Sequence, residues 1–199
     1  MKRARQLFFE RGYNATSIAD VLKRSRINSG SLYYFFPTKE KLLVAVLEKY
    51  KEMLEPAVLA PAYARASDPI ERLFAVLDGY RRLLQATDFR LGCPIGNLAL
   101  ELSNSHPQIR RLVIENFEGW RVAIRKLLAE AAMDRAPQKT NLEALAHFVL
   151  ITMEGAVLLS RAYRNFEPFD GAMATLRQYF DHLLSSDQSP RKPLKQKKL

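Results

Sequence analysis

The chain has 199 residues, 48% of them hydrophobic, which is enough for one large or two small domains with a buried core and excludes a disordered chain. Its net charge of +10 is uneven: residues 1–55 hold 11 basic and 6 acidic side chains, residues 56–184 hold 15 and 14, and residues 185–199 hold 5 and 1. Such basic ends are typical of a polyanion binder, although ordinary solubility fits the charge equally well, and the single cysteine excludes an internal disulfide and a cysteine-based zinc site.

Helical periodicity predicts an all-α fold of about nine helices. The first helix, 2–11, follows a basic start without an apolar segment, so it is not a secretory signal. Thr16 or Ser17 caps a second helix that reaches about Arg24, and Asn28 caps a third over 29–35. Pro37 ends the third helix, and Thr38 caps a fourth that runs to about Glu55.

The rest of the chain predicts five further helices, of which the one after Pro94 is short. Three prolines within 56–69 indicate a loosely structured boundary, and helices then follow over 69–87, 94–102, 107–132, 141–164 and 170–184. The segment 141–164 is apolar on most sides and therefore requires neighbours on all sides. No uncharged apolar run reaches about 18 residues, so no membrane span is expected. The last fifteen residues, 185–199, read as a basic disordered tail.

The second and third helices have the features of a helix-turn-helix. Their apolar spacing predicts a small core made by Ile18, Val21, Leu22, Ile27 and Leu32. The residues left facing outward are Ser29, Gly30, Ser31, Tyr33 and Tyr34. Small residues at the start of the third helix allow a close approach to a major groove about 12 Å wide, where hydroxyl groups contact base edges or phosphate.

The segment 8–47 resembles the DNA-binding region of TetR-type transcriptional regulators. The matching residues are Phe8, Gly12, Tyr13, Thr16, Ser17, Gly30, Ser31, Leu32, Tyr33, Phe36 and Lys39. The resemblance implies a DNA-binding domain over 1–50 and a ligand-binding and dimerisation domain over 51–184. It also implies a homodimer built mainly from the last two helices. The predicted DNA contacts are Thr16, Ser17, Arg26, Asn28, Ser29, Gly30, Ser31, Tyr33, Tyr34 and Lys39.

The chain departs from the family pattern in two places. Arg26 stands where the turn commonly has glycine, so either the turn differs or Arg26 reaches phosphate. The first helix also starts late, which places the expected native N-terminus upstream of Met1.

The stretch 89–103 and the stretch 160–168 resemble a TetR-type subgroup that includes electrophile-responsive repressors. Cys93 precedes a helix, a position that favours a lowered thiol pKa. Arg161 stands where one such sensor type has lysine, which argues against a cysteine–lysine switch. The predicted effector-binding residues are Tyr80, Phe89, Cys93, Asn97, Glu101, Phe117, Trp120, Arg121, His147 and Glu154, although most of the aromatic ones fit plain core packing as well.

The predicted function is a cytoplasmic, homodimeric regulator that a small molecule releases from a palindromic operator, with no cofactor, no metal and no membrane partner. Repressor is favoured over activator, and the fourth helix is the expected lever between effector and DNA. The alternatives are a redox or electrophile sensor acting through Cys93 and an effector-independent DNA-binding protein. An enzyme is disfavoured because Glu101, His106, His147 and Glu154 match no ligand spacing and no phosphate loop or nucleophile motif occurs.

Overall fold

The computed structural model describes residues 1–132 and 140–184. Four helices form an N-terminal head: α1 (Lys2–Arg11), α2 (Ile18–Ser25), α3 (Ser29–Phe35) and α4 (Lys39–Met53). Ser17 caps α2 in a reciprocal capping box with Asp20, while Asn28 and Thr38 cap α3 and α4. The predicted boundaries of these four helices are therefore close to those of the structure.

The turn between α2 and α3 keeps the expected shape despite its arginine. Arg26 adopts the left-handed conformation, with φ 54° and ψ 42°, which glycine usually supplies. Val21 and Leu32 are buried and Ile18 and Leu22 are partly buried, as predicted. Ile27 is 43% exposed, so its predicted place in the small core was wrong. It follows the turn directly and lies on the solvent side of it.

The predicted loose boundary at 56–69 is in fact mostly helical. After α4 the helix continues through a π-helical stretch, Leu54–Leu59, into α5 (Ala60–Tyr63). Pro56 has no N–H to donate and its ring disfavours a regular α-helical turn, and the wider π-helical turns accommodate it. The chain leaves the helix only between α5 and Asp68, which caps the next helix.

The body consists of five helices. They are α6 (Pro69–Ala86), α7 (Pro94–Leu102), α8 (Pro107–Ala132), α9 (Leu142–Tyr163) and α10 (Glu167–Leu184). The helix α8 packs against α4, α6, α7 and α9, while α10 packs on α9. Because α5 only extends α4, the described residues form nine separate helical segments and contain no strand. The last helix begins three residues earlier than predicted, and the predicted basic tail, 185–199, lies outside the described residues.

The buried side chains make one connected core from α1 to α10. The helix α4 contributes Leu42, Leu43, Val46 and Leu47 to it, all of them essentially inaccessible to solvent. Head and body are therefore packed against each other through α4.

One face of α9 and its neighbour α10 remains uncovered in the single chain. Its exposed apolar side chains are Phe148, Ile151, Leu158, Leu159, Tyr163 and Tyr179. By length and composition alone α9 could cross a membrane, a test that the core helix of a soluble protein also passes. Its other face is buried in the helical body, which fits a helix between a protein core and an interface.

Candidate nucleic-acid interface and effector cavity

The helix α3 projects its polar and aromatic side chains from the head. Tyr34 is 81% exposed, Tyr33 is 47% exposed, and the rings of Tyr34 and Phe35 meet edge to face with their centroids 5.0 Å apart. Phe35 was not among the predicted contacts, although it is 70% exposed on the same short helix. Its apolar character pointed to the core, and only the three-dimensional packing shows that it is exposed to solvent.

The first turn of α3 presents small groups to solvent. Ser29, Gly30 and Ser31 are exposed. The Asn28 side chain accepts the Ser31 backbone N–H at 2.7 Å and so fixes the start of the helix. The backbone can therefore come close to a groove, while the serine hydroxyl groups remain available for contacts.

Three of the predicted contacts are placed differently from the rest. Thr16 is fully buried and its hydroxyl donates to the Gly12 carbonyl at 2.7 Å, so its side chain does not reach DNA. Ser17 is exposed, but its hydroxyl is engaged in the α2 cap, where it donates to Asp20 and holds the pKa of that carboxyl below its ordinary value. The Lys39 ammonium lies 4.1 Å from the centre of the Tyr13 ring, which orients it beside the head.

Basic side chains line a cleft next to the turn of the helix-turn-helix. Arg26 is exposed at its edge, and the cleft also contains Arg3, Arg11, Lys23 and Arg24. Of these five basic residues, only Arg26 was predicted to contact DNA. The periodicity of α1 and α2 gave no sign that their basic residues converge, because they come from two separate helices.

Glu101 lies near the end of α7 and ties that helix to the head. Its Oε2 accepts the backbone N–H of Tyr13 at 2.9 Å, and its Oε1 accepts that of Asn14 at 2.6 Å. Gly12 has φ +83°, and a Cβ at this position would lie 2.8 Å from Glu101 Oε2. The His106 ring adds an edge contact to Tyr13, with centroids 5.6 Å apart. Glu101 is thus a bridge between body and head and not a pocket residue as predicted.

A cavity of about 440 Å³ lies between α4 with its π-helical extension, α6, α7 and α8. Tyr80 and Trp120, two of the predicted effector-binding residues, line it, together with Tyr50, Leu54, Arg65 and Asn116. Burial raises the pKa of Tyr50 to about 12 and that of Tyr80 well above its ordinary value, so both phenols stay neutral hydrogen-bonding groups. The size and the largely apolar walls are those of a small-molecule site.

A second cavity of about 250 Å³ contains four further predicted residues: Cys93, Asn97, Phe117 and Glu154. The Asn97 side-chain oxygen accepts a hydrogen bond from Arg161 at 2.7 Å. Glu154 Oε1 is buried and has no hydrogen-bond partner among the described residues. Desolvation raises the pKa of the Glu154 carboxyl, and a hydrogen bond with the Cys93 thiol offsets part of this increase.

Cys93 itself separates the two cavities. Its sulfur accepts the Gly96 backbone N–H at 3.4 Å as the α7 cap and lies 3.7 Å from the Tyr80 hydroxyl. Burial and the neighbouring Glu154 carboxylate raise the pKa of the Cys93 thiol well above its ordinary value. The predicted lowering of this pKa was therefore wrong, because desolvation outweighs the capped helix terminus.

Three more predicted effector residues lie outside both cavities. Phe89 packs on Phe166 with ring centroids 4.6 Å apart. Arg121 pairs with Glu118 on α8 and with Glu143 on α9. His147 is exposed on α9. Each of them has the polar or aromatic character of a ligand contact, but helical periodicity does not show whether such a side chain faces a cavity or the outer surface.

The acidic and histidine residues considered for an enzymatic site do not form one cluster, although Glu101 and His106 share Tyr13 as a neighbour. Glu101 contacts the head, His147 is exposed, and Glu154 is buried next to Cys93. Within 1–132 and 140–184, no group of three or more potential metal-ligating side chains comes together.

The fold and the exposed α3 define a helix-turn-helix DNA-binding regulator, and comparisons with known proteins agree. Residues 1–46 match the bacterial regulatory proteins of the tetR family, and residues 69–175 match the C-terminal domain of LmrA/YxaF-like transcriptional regulators. The chain belongs to the TetR family of transcriptional regulators, which are not enzymes.

Relatives and solved structures cover most of the chain. It is 32% identical over 178 residues to the HTH-type transcriptional regulator Rv0196 of Mycobacterium tuberculosis, covering 86% of this chain and 87% of the relative. It is 27% identical over 195 residues to the HTH-type transcriptional repressor DhaR of Mycobacterium sp., covering 95% and 92%. The crystal structure of regulatory protein TetR from Rhodobacter sphaeroides superposes with a TM-score of 0.81 at 25% identity, covering 89% and 95%.

Proposed function

We propose that the protein is a homodimeric, cytoplasmic repressor that a small molecule releases from a palindromic operator. The observation that carries this proposal is the combination of an exposed reading helix, α3, with a largely apolar cavity in the body of the same chain. A purely architectural DNA-binding protein has no need of such a cavity.

Dimerisation through α9 and α10 is supported by their uncovered apolar face. The exposed apolar residues of α9 recur along one side of the helix, and Phe148 extends the face to Tyr179 of α10 by a ring contact with centroids 6.0 Å apart. A two-fold axis brings this face against its own copy and removes it from water. Two copies of α3 then read half-sites about one helical repeat or more apart.

We expect the effector signal to reach DNA through α7. Pro94 and Ile95 at its start line the larger cavity, and Glu101 near its end holds Tyr13 and Asn14 of the head. A ligand that displaces the start of α7 therefore changes the orientation of α1 and, with it, the separation of the two reading helices. The helix α4, the lever expected from sequence, also lines the cavity and provides a parallel connection.

The test is fluorescence anisotropy on labelled DNA that flanks the protein's own gene, with scrambled DNA as control. We expect specific binding of two chains per operator and release by at least one compound from a panel of aldehydes, quinones, acyl compounds, aromatic acids and cationic dyes. Binding of flanking and scrambled DNA with equal affinity at physiological salt would contradict the proposal.

The alternative is a redox or electrophile sensor that acts through Cys93. Its raised pKa and its burial argue against it, since the thiolate is the reactive form. The matched variant Cys93→Ser keeps the approximate size of the side chain but removes the thiol, so it distinguishes a non-covalent effector from a cysteine sensor. We expect operator release by a non-electrophilic effector to persist in this variant, whereas loss of all release would favour the sensor.

A further inference from the structure

The larger cavity is lined by cations and hydrogen-bond donors but by no carboxylate. Among the described residues that line it, Arg65 and Arg82 are the only charged side chains. Tyr50 and Trp120 add a phenol and an indole donor next to apolar walls, while the Tyr80 hydroxyl is directed to Cys93 Sγ. A ligand that fits this lining has an apolar body and an anionic or acceptor-rich group.

Arg65 is the cation whose charge is least compensated. Arg82 forms an ion pair with Asp78, one turn away on α6. Carboxylates that follow Arg65 in the chain or line the neighbouring groove are also engaged: Asp68 caps α6, Asp170 pairs with Arg81 at 2.7 Å, and Glu71 pairs with Arg177. In the part of the chain that the structure describes, Arg65 itself makes no ion pair, and it lies exposed in the turn two residues after α5.

The π-helical stretch Leu54–Leu59 gives this cavity its apolar wall. Leu54, Ala57 and Val58 from the stretch line the cavity, and π-helical segments occur frequently at functional sites. The volume of about 440 Å³ is within the range of sites that enclose small organic molecules.

We propose that the effector is an amphiphilic organic anion, an aromatic or alicyclic carboxylate, sulfonate or phenolate, whose charged group pairs with Arg65 while its ring system packs against the side of the contacting Tyr80 and Trp120 rings that lines the cavity. This inference rests on the proposed function and specifies its effector. Cationic and neutral compounds of the same size bind more weakly because the lining offers no carboxylate to a cation and because only an anion gains the attraction of the exposed Arg65 guanidinium.

The probe pair is 8-anilinonaphthalene-1-sulfonate and its neutral counterpart N-phenyl-1-naphthylamine, which share one ring system and differ by the sulfonate. Binding is followed by dye fluorescence and by quenching of Trp120, since the chain contains one tryptophan. We expect one molecule of the anionic dye per chain and a dissociation constant at least about tenfold lower than that of the neutral dye.

Two variants localise the charge. Arg65→Gln is expected to weaken the anionic dye about tenfold and to leave the neutral dye unchanged. Arg110→Gln removes the same charge from an exposed position on α8 outside the cavity lining, and is expected to change neither dye. Equal affinity of the two dyes, or an Arg65→Gln variant that binds the anionic dye as the native protein does, would overturn the proposal.

A third variant localises the site. Gly79 lines the cavity on α6, and a Cβ there has the Arg82 side chain at 3.8 Å as its nearest neighbour, so Gly79→Leu fills the cavity without a clash at its first atom. We expect this variant to bind neither dye. Unchanged binding of the anionic dye would show that the dye binds outside this cavity and would refute the inference. Operator release by neutral compounds alone would refute the anionic effector while leaving the ligand-responsive regulator intact.

Discussion

The bridge between Glu101 and the head makes a quantitative prediction. Glu101→Ala removes the acceptor of two backbone N–H groups, those of Tyr13 and Asn14, at 2.9 and 2.6 Å. A hydrogen bond to a charged group contributes about 1.5–3 kcal/mol, so two such bonds contribute about 3–6 kcal/mol, and the partial exposure of Glu101 places the pair at the lower end, about 3 kcal/mol in total. For a chain of this size such a loss lowers the melting temperature by about 6–12 °C.

Two measurements check this prediction. Thermal unfolding gives the stability change. The control is Glu118→Ala, which removes the same charge, because the Glu118 carboxylate forms an ion pair with Arg121 on the same helix, α8, and does not contact the head. Hydrogen exchange reports the local effect, since the Tyr13 and Asn14 amides should exchange faster in the variant. If Glu101 transmits the signal, the ratio of operator affinities without and with a releasing compound also falls by about fivefold or more.

Glu101 would not bridge body and head if Glu101→Ala unfolded like Glu118→Ala and kept native amide protection at Tyr13 and Asn14. Gly12→Ala provides an independent disturbance of the same contact, because its Cβ would lie 2.8 Å from Glu101 Oε2 and its φ of +83° is unfavourable for alanine. We expect it to be destabilised in the native protein and less so in the Glu101→Ala background, a non-additivity that a double-mutant cycle measures.

The remaining predictions concern three other parts of the molecule. Tyr34→Ala should lower operator affinity about tenfold or more without changing stability or dimerisation, because this side chain is 81% exposed; unchanged anisotropy titrations would remove it from the interface. Ile151→Glu places a charge on the uncovered face of α9 and should give monomers in light scattering, whereas Val122→Glu on α8 should leave dimers. Glu154→Gln should raise the melting temperature at pH 8: the folded-state pKa of Glu154 is raised, so the native protein loses stability as pH rises from the ordinary value of 4.5, and the advantage of the variant should shrink towards pH 4. A constant difference between pH 4 and pH 8 would show that Glu154 is not a desolvated acid.

Much of the fold was predictable because helix caps and breakers are local signals. Asn28 and Thr38 each cap the helix they were expected to cap. For α2 the sequence left two candidate caps, Thr16 and Ser17, and the structure shows that Ser17 is the cap. The failure at 56–69 has the opposite cause. Proline indicates a break in an α-helix, but the longer hydrogen-bond spacing of a π-helix tolerates it, and no local pattern distinguishes the two outcomes.

The candidate sites were predictable only where exposure follows from helix periodicity. Tyr33 and Tyr34 were expected outside and lie outside. The polar residues of the body could not be assigned in this way, because all of them occur on amphipathic or apolar helices. Glu101 contacts the head, Glu154 is buried, and His147 faces solvent. Whether a polar residue on a helix contacts the head, a buried site or solvent depends on packing between segments that are distant in sequence.

Cys93 shows how the balance of magnitudes decides the chemistry of the signal. A helix terminus stabilises an anion by about 0.3–1 kcal/mol, whereas desolvation of a buried charge costs several kcal/mol, so the same cap position that suggested a thiolate holds a neutral thiol once the surroundings are closed. The start of α7 is consequently a neutral anchor between two cavities, and its charged contact lies at the other end, at Glu101. Such a helix transmits displacement of its anchor more readily than a change of charge there. This arrangement therefore supports the proposal that the stimulus is non-covalent occupation of the larger cavity and not thiol chemistry at Cys93.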